Sequence, residues 1–180
     1  MNEEQRMKLK ELRKEVIDKY FVGAWREVWF FPKYKEVNGY MGTGDIFFVG
    51  LNPSSGRFPS KQDDMFYDEL KNNNLNNAHI TDLIKLRATD KNLQEIIDDI
   101  PIFNDQIETL RREIDILNPK LIVALGRKCE KHLKDKFKHL PDSQIKYLRH
   151  YCTCRYPKNI EHFFINFKEI IVEYNKKRYP

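Results

Sequence analysis

The sequence predicts an α/β fold, a parallel sheet with helices on both faces. Three observations carry that prediction. Residues 45–51 (DIFFVGL) and 120–125 (KLIVAL) are short, continuous apolar runs, the pattern of strands buried on both faces. Other stretches carry apolar residues at steps of three and four, the spacing of one helical face. Strands and helices alternate along the chain, which is the order of a parallel sheet wound with helices.

Taken in order, the first helix runs to about residue 20, with Leu9, Leu12, Val16 and Tyr20 on one face. Residues 25–40 are aromatic-rich and irregular, broken by Pro32 and Gly39. The first strand, 45–51, lies between Gly44 and Asn52-Pro53. An asparagine-rich loop, 72–77, precedes a second short strand at 79–83. Ile107, Leu110, Ile114 and Leu117 form a helical stripe that Asn118-Pro119 ends. The third strand, 120–125, stops at Gly126, and residues 127–138 form the helix that follows. Residues 145–153 are a fourth strand, interrupted by polar side chains. In the last helix Ile160, Phe163, Phe164, Phe167, Ile170, Ile171 and Tyr174 build an apolar inner face. No repeat or long linker divides the chain. Residues 1–180 read as a single domain, with an N-terminal helical and aromatic segment to about residue 44.

Composition narrows the function classes. With 41% hydrophobic and 33% charged residues, and a mean hydropathy of −0.70, the chain is neither disordered nor membrane-embedded. No apolar run approaches the roughly 18 residues that span a bilayer, and the charge-dense N-terminus predicts no secretory signal. The three cysteines, Cys129, Cys152 and Cys154, cannot all pair with one another. A disulfide framework is therefore not expected, and a cytoplasmic setting is. The net charge of +5 tilts the expected partner towards a polyanion.

Ligands of such sheets bind beyond the carboxyl ends of the strands, so the chemistry is sought there. The first strand runs into Gly50-Leu51-Asn52-Pro53-Ser54-Ser55-Gly56. Glycine permits close backbone approach, proline fixes the turn, and Asn52 offers an amide that can orient a water. The same residues also make a plain turn. The second strand ends at Asp82, and the third at Gly126. The fourth leads to His150-Tyr151-Cys152-Thr153-Cys154-Arg155-Tyr156-Pro157. Its CxC spacing is shorter than a usual metal pair and no second pair completes it, so no metal is expected.

Three segments, in order, resemble the uracil-DNA glycosylase superfamily. IFFVGLNPSSGRF is similar to the first catalytic motif in its Gly-x-Asn-Pro form. NAHITDLIKLRA resembles the Ile-Thr-Asn-x-Val-Lys-x-Arg strand of a thermostable branch. LNPKLIVALGRKCEKHL resembles that branch's Pro-Lys-x-Ile-Val-Ala-Leu-Gly strand, turn and helix. The resemblance implies a three-layer α/β/α sandwich around a central four-stranded parallel sheet. It implies a DNA glycosylase that extrudes a damaged or deaminated base and hydrolyses its N-glycosidic bond, with DNA, single- or double-stranded, as partner. No cofactor, membrane or iron–sulfur cluster is expected, and a monomer is.

On that resemblance Asn52 positions the attacking water. Gly50, Leu51, Pro53 and Ser54 form the loop, with backbone N–H groups near Leu51 and Ser54 facing the base carbonyls. Phe58 or Phe66 stacks on the base, Phe66 being preferred. Two departures stand out. The family's base-reading asparagine is Asp82 here. An ionised carboxylate only accepts, whereas a protonated Asp82 can donate to a ring nitrogen and accept from an exocyclic amine, an edge like that of cytosine or adenine. Asn76 and Asn77 are candidates to compensate. The family's His-Pro-Ser or Asn-Pro-Ser motif is HYCTCRYP here. Either His150 or Arg155 stabilises an anionic leaving group, and Tyr156 can wedge into a stack. The alternative function is a non-catalytic module that binds nucleic acid or a nucleotide on the same fold.

Overall fold

In the computed structural model, residues 2–21, 27–53 and 56–178 are described. Ser54, and the start of the aromatic segment with Trp25, lie outside the described residues. Four strands, β1 (Ile46–Gly50), β2 (His79–Asp82), β3 (Leu121–Leu125) and β4 (Ile145–Leu148), form one parallel sheet in the order β2-β1-β3-β4. The described helices are α1 (Glu3–Phe21), α2 (Lys61–Asn72), α3 (Asp90–Asp98), α4 (Ile100–Leu117), α5 (Arg127–Lys136) and α6 (Pro157–Arg178).

The alternation of side chains along each strand sorts the core into two layers. Phe47, Val49, Ile122 and Ala124 pack with Leu9 of α1, Leu93 and Ile96 of α3, Leu110 and Ile114 of α4 and Leu133 of α5. Ile46, Phe48, Leu121 and Val123 pack with Phe66 and Leu70 of α2 and Phe163, Phe167 and Ile171 of α6. Both faces of β1 and β3 are thus covered, which is why these strands are apolar throughout. The result is the three-layer α/β/α sandwich with a four-stranded parallel sheet.

Two helices escaped the sequence reading. α2 begins with a capping box: the Asp63 N–H donates to Ser60 Oγ, while Asp63 Oδ2 accepts from the Ser60 N–H at 2.7 Å. Its buried residues Asp63, Phe66, Tyr67 and Leu70 sit at one-face spacing. α3 follows Thr89 and buries Leu93 and Ile96. α5 stops at Lys136, two residues before the expected end.

The fourth strand is shorter than predicted. β4 ends at Leu148, and Tyr151–Thr153 form a 3-10 turn. Two side chains draw the backbone out of the sheet: His150 Nδ1 accepts the Cys152 N–H at 3.2 Å, and Thr153 Oγ1 donates to the His150 carbonyl at 2.8 Å. Asn76 and Asn77 also lie elsewhere than expected. They precede β2, at the end of the sheet opposite Asp82, where the Asn76 carbonyl accepts the Asn38 N–H and Asn77 Oδ1 accepts from Asn38 and Thr43. They serve the loop and cannot compensate for Asp82.

Candidate active site

The sheet order reverses direction at β1, and the loops leaving β1 and β3 part there, opening a crevice at the carboxyl ends of the strands. A cleft of about 330 Å³ lies at this edge. Asn52, Asp82, His150 and Arg155 all line it, although they lie far apart in sequence. Parallel strands place all their carboxyl ends on one edge, which is the physical reason.

Asn52 is held by its own amide. Nδ2 donates to the carbonyls of Pro53 and Ala88, both at 3.1 Å. Carbonyls only accept, so the amide orientation is forced. Both donor hydrogens are spent, and Oδ1 takes no hydrogen bond among the described residues. Behind it, the carbonyls of Gly50 and Leu51 accept from Leu83 and Ile84 at 2.8 and 3.0 Å, which ties the loop to the chain leaving β2. Pro53 borders the cleft, whereas Gly50 and Leu51 support it from behind, the Leu51 side chain packing on the core.

Asp82 ends β2 and pairs in register with Gly50. It is 4% exposed, and its buried Oδ2 has no hydrogen-bond partner among the described residues. Burial pushes the carboxyl up to about 7; the Lys85 charge pulls against that, and Glu113 adds to it. Behind Asp82 lies a buried ionic group. Lys85 Nζ stands 3.0 Å from Glu113 Oε1 and also donates to the Asp82 backbone carbonyl. His79 Nε2 stands 3.5 Å from Glu113 Oε2. Burial alone would raise Glu113, but Lys85 and His79 hold it below the ordinary carboxylate value.

His150 follows β4. Burial pushes its imidazole down to about 4, with Asp63 opposing. It is therefore neutral near pH 7, and since Nδ1 accepts the Cys152 N–H, the ring proton sits on Nε2. Cys152 lines the cleft, and burial pushes its thiol up to about 12, so it is no nucleophile. Cys129 is buried with Sγ 3.2 Å from the Val49 carbonyl, a structural thiol. Arg155 stands exposed at the rim, and Tyr156, 71% exposed, lies just beyond it.

The two phenylalanines separate. Phe58 borders the cleft, packed against Trp29, Tyr34 and Tyr67. Phe66 does not reach it. It is fully buried on the core stripe of α2, stacked on Tyr151 at 4.5 Å and edge-on to Phe48. The preference for Phe66 is corrected on that ground: a ring with both faces packed has none left for a base.

Trp29, Asp63 and Arg87 also border the cleft and were missed in the sequence. Arg87 lies over the Trp29 ring at 4.1 Å. It closes the Lys-x-Arg pattern already noted, so a signal for it existed. Trp29 comes from a distant segment bonded to the chain after β2, the Trp29 N–H donating to the Lys85 carbonyl at 2.8 Å. Among the described residues no group of three or more His, Cys, Asp or Glu side chains could hold a metal.

A family model described as the uracil DNA glycosylase superfamily matches residues 39–174. The match takes in all four strands and every cleft side chain named in this subsection except Trp29, with Tyr34 behind Phe58 also outside it. Among curated proteins no match was found.

Proposed function

Since the chain belongs to the uracil DNA glycosylase superfamily, whose members act on DNA, we propose that it is a DNA glycosylase. It hydrolyses the N-glycosidic bond of a damaged or deaminated base extruded into the cleft. The observation that carries this reading is Asn52, which lines the cleft with its amide fixed through Nδ2 and with no hydrogen bond to Oδ1 among the described residues. Loss of the base leaves an oxocarbenium-like sugar, which needs a positioned water more than a strong base. Asn52 Oδ1 accepts from that water and aims it at the sugar. The water oxygen bonds to the anomeric carbon and gives up a proton to solvent. The base leaves with the electron pair of the broken bond and takes a proton in turn. Neutral His150 donates from Nε2 to the base as negative charge develops. Phe58 stacks on the base, Arg155 meets phosphate, and Tyr156 wedges into the space left in the stack. Backbone N–H groups of the Asn52 loop face the base carbonyls.

A second reading has one observation behind it. Asp63 and Asp82 both border the cleft, and ionised carboxylates there oppose charge building on a leaving base. That favours a module that binds nucleic acid or a nucleotide without cutting it. The deciding assay presents the protein with oligonucleotides carrying uracil, hypoxanthine, xanthine or mismatches. Base release is expected from the wild type and should fall by roughly a hundredfold or more in Asn52→Ala, because a misplaced reactant costs that much. DNA affinity should be retained. Undiminished release by Asn52→Ala removes its role, and salt-sensitive binding with no release from any substrate supports the second reading.

A further inference from the structure

The Asp82 carboxyl is the buried polar group of the cleft that the proposed reaction leaves unused. It makes no hydrogen bond among the described residues, and Oδ2 is sealed from solvent. Its place is built into the sheet. An ideal Cβ on Gly50 would lie 2.2 Å from Asp82 Oδ1, so a side chain on Gly50 would displace the carboxyl. The nearest ammonium does not neutralise it, because Lys85 Nζ is engaged by Glu113 and by the backbone carbonyl of Asp82. A buried carboxylate left unpaired is costly, whereas the neutral acid is not. An open cleft beside an unsatisfied buried acid calls for a ligand that satisfies it.

We propose that Asp82 reads the extruded base as a neutral carboxylic acid, its O–H and C=O pairing with a base edge that carries one donor beside one acceptor, so that base capture requires the acid to hold its proton. This rests on the glycosylase reading of the cleft and adds the group that selects the base. With neither oxygen hydrogen-bonded among the described residues, the proton can sit on either one. The acid therefore takes the N3–H and O4 of uracil, or the matching N–H and C=O edge of hypoxanthine, as well as the N3 and N4–H of cytosine. The ionised form only accepts, and repels the acceptor atom of every one of these edges.

The groups facing Asp82 leave this proton to Asp82 itself. Lys85 and Arg87 follow β2, and Glu113 comes from α4, with Lys85 and Glu113 balancing each other. Cys129 of α5, Tyr67 of α2, and Tyr151 and Cys152 of the turn after β4 are all raised by burial and stay neutral. Asp63 of α2 spends its carboxylate on the cap. Burial holds His150 at about 4 and Cys152 at about 12, whereas Asp82 lies at about 7. Of these, Asp82 is the group whose charge changes around neutrality.

The test measures release of uracil and of cytosine from single-stranded oligonucleotides between about pH 5.5 and about pH 8.5, for the wild type and Asp82→Asn. Alongside, the Asp82 carboxyl carbon is titrated by NMR with and without free uracil or cytosine. Wild-type release should fall about tenfold per pH unit above neutrality, as the protonated fraction does, while the Asn variant, which cannot ionise, stays flat. The carboxyl midpoint should lie near neutrality and rise when base is added, because base binds the protonated form. Release in one arm or both assigns the edge. A flat wild-type profile, the same fall in Asp82→Asn, or a midpoint below about pH 5 overturns the proposal. If no variant releases uracil, cytosine or any base of the hypoxanthine, xanthine and mismatch panel, the glycosylase reading falls, and a midpoint that added base does not move overturns the Asp82 proposal separately.

Discussion

At Asp82 the chain bears a cost that can be read as stability. Burial raises the folded carboxyl to about 7 from an ordinary value of 3.8. A folded state that holds its proton more tightly than the unfolded state loses stability as pH rises. The penalty starts near pH 4, grows to about pH 7 and is constant above, reaching on the order of 4 kcal/mol at about 1.4 kcal/mol per unit. Asp82→Asn removes it. Thermal melts should therefore show the variant more stable than the wild type at pH 8, with the gap shrinking as the solution is acidified. An equal gap at pH 4 and pH 8 contradicts the buried, raised carboxyl.

At the level of elements, β2 and α4 are joined by a polar contact inside an otherwise apolar layer. Lys85 follows β2, Glu113 lies on α4, and both are fully buried. Gln106 of α4 adds a bond, its Oε1 accepting the Lys85 N–H at 2.6 Å. A buried pair stabilises little over an apolar pair, but removing one partner strands the other charge. Glu113→Ala should cost about 3–5 kcal/mol in urea unfolding. The double variant Lys85→Met, Glu113→Leu should recover most of that. If it is as unstable as Glu113→Ala, the loss comes from something other than the stranded ammonium. The pair also occupies the Lys85 ammonium, whose charge lowers the Asp82 carboxyl against burial, so the same element contact that joins the layers bears on the acid of the cleft.

At the scale of the whole molecule, 32 basic residues stand against 27 acidic ones. Many of these charges are already matched: Lys19 with Asp105, Lys71 with Glu36, Arg112 with Glu15. Arg155 is exposed at the cleft rim, and no ion pair to it is found among the described residues. If DNA lies across this edge, its affinity should fall linearly on a log-log plot against salt. Arg155→Ala should weaken binding uniformly across sequences and reduce the slope by about 1. An unchanged slope places Arg155 outside the phosphate contacts. No described helix is long and apolar enough to cross a membrane.

The apolar runs of β1 and β3, and the stripes of α1, α4 and α6, were legible because strand and helix periodicity are local. Full burial on both faces leaves no other pattern for a central strand to carry. Asn52 and Asp82 were legible as site candidates for the same reason, since the end of a parallel strand can be found from the strand. The choice between Phe58 and Phe66 was not, because it depends on which way α2 turns its stripe. Trp29 was hidden because its place depends on a segment folding back onto the chain after β2. The end of β4 was decided by side chains bonding nearby backbone, His150 accepting the Cys152 N–H and Thr153 donating to the His150 carbonyl. Most of all, the sequence determined that an acid, Asp82, stands at the end of β2, where the resemblance implies an amide, but the charge of that acid was left to tertiary structure. Its state follows from burial, from the room left by Gly50, and from the opposed charges of Lys85 and Glu113 beside it, and these come together only when β1, β2 and α4 are packed.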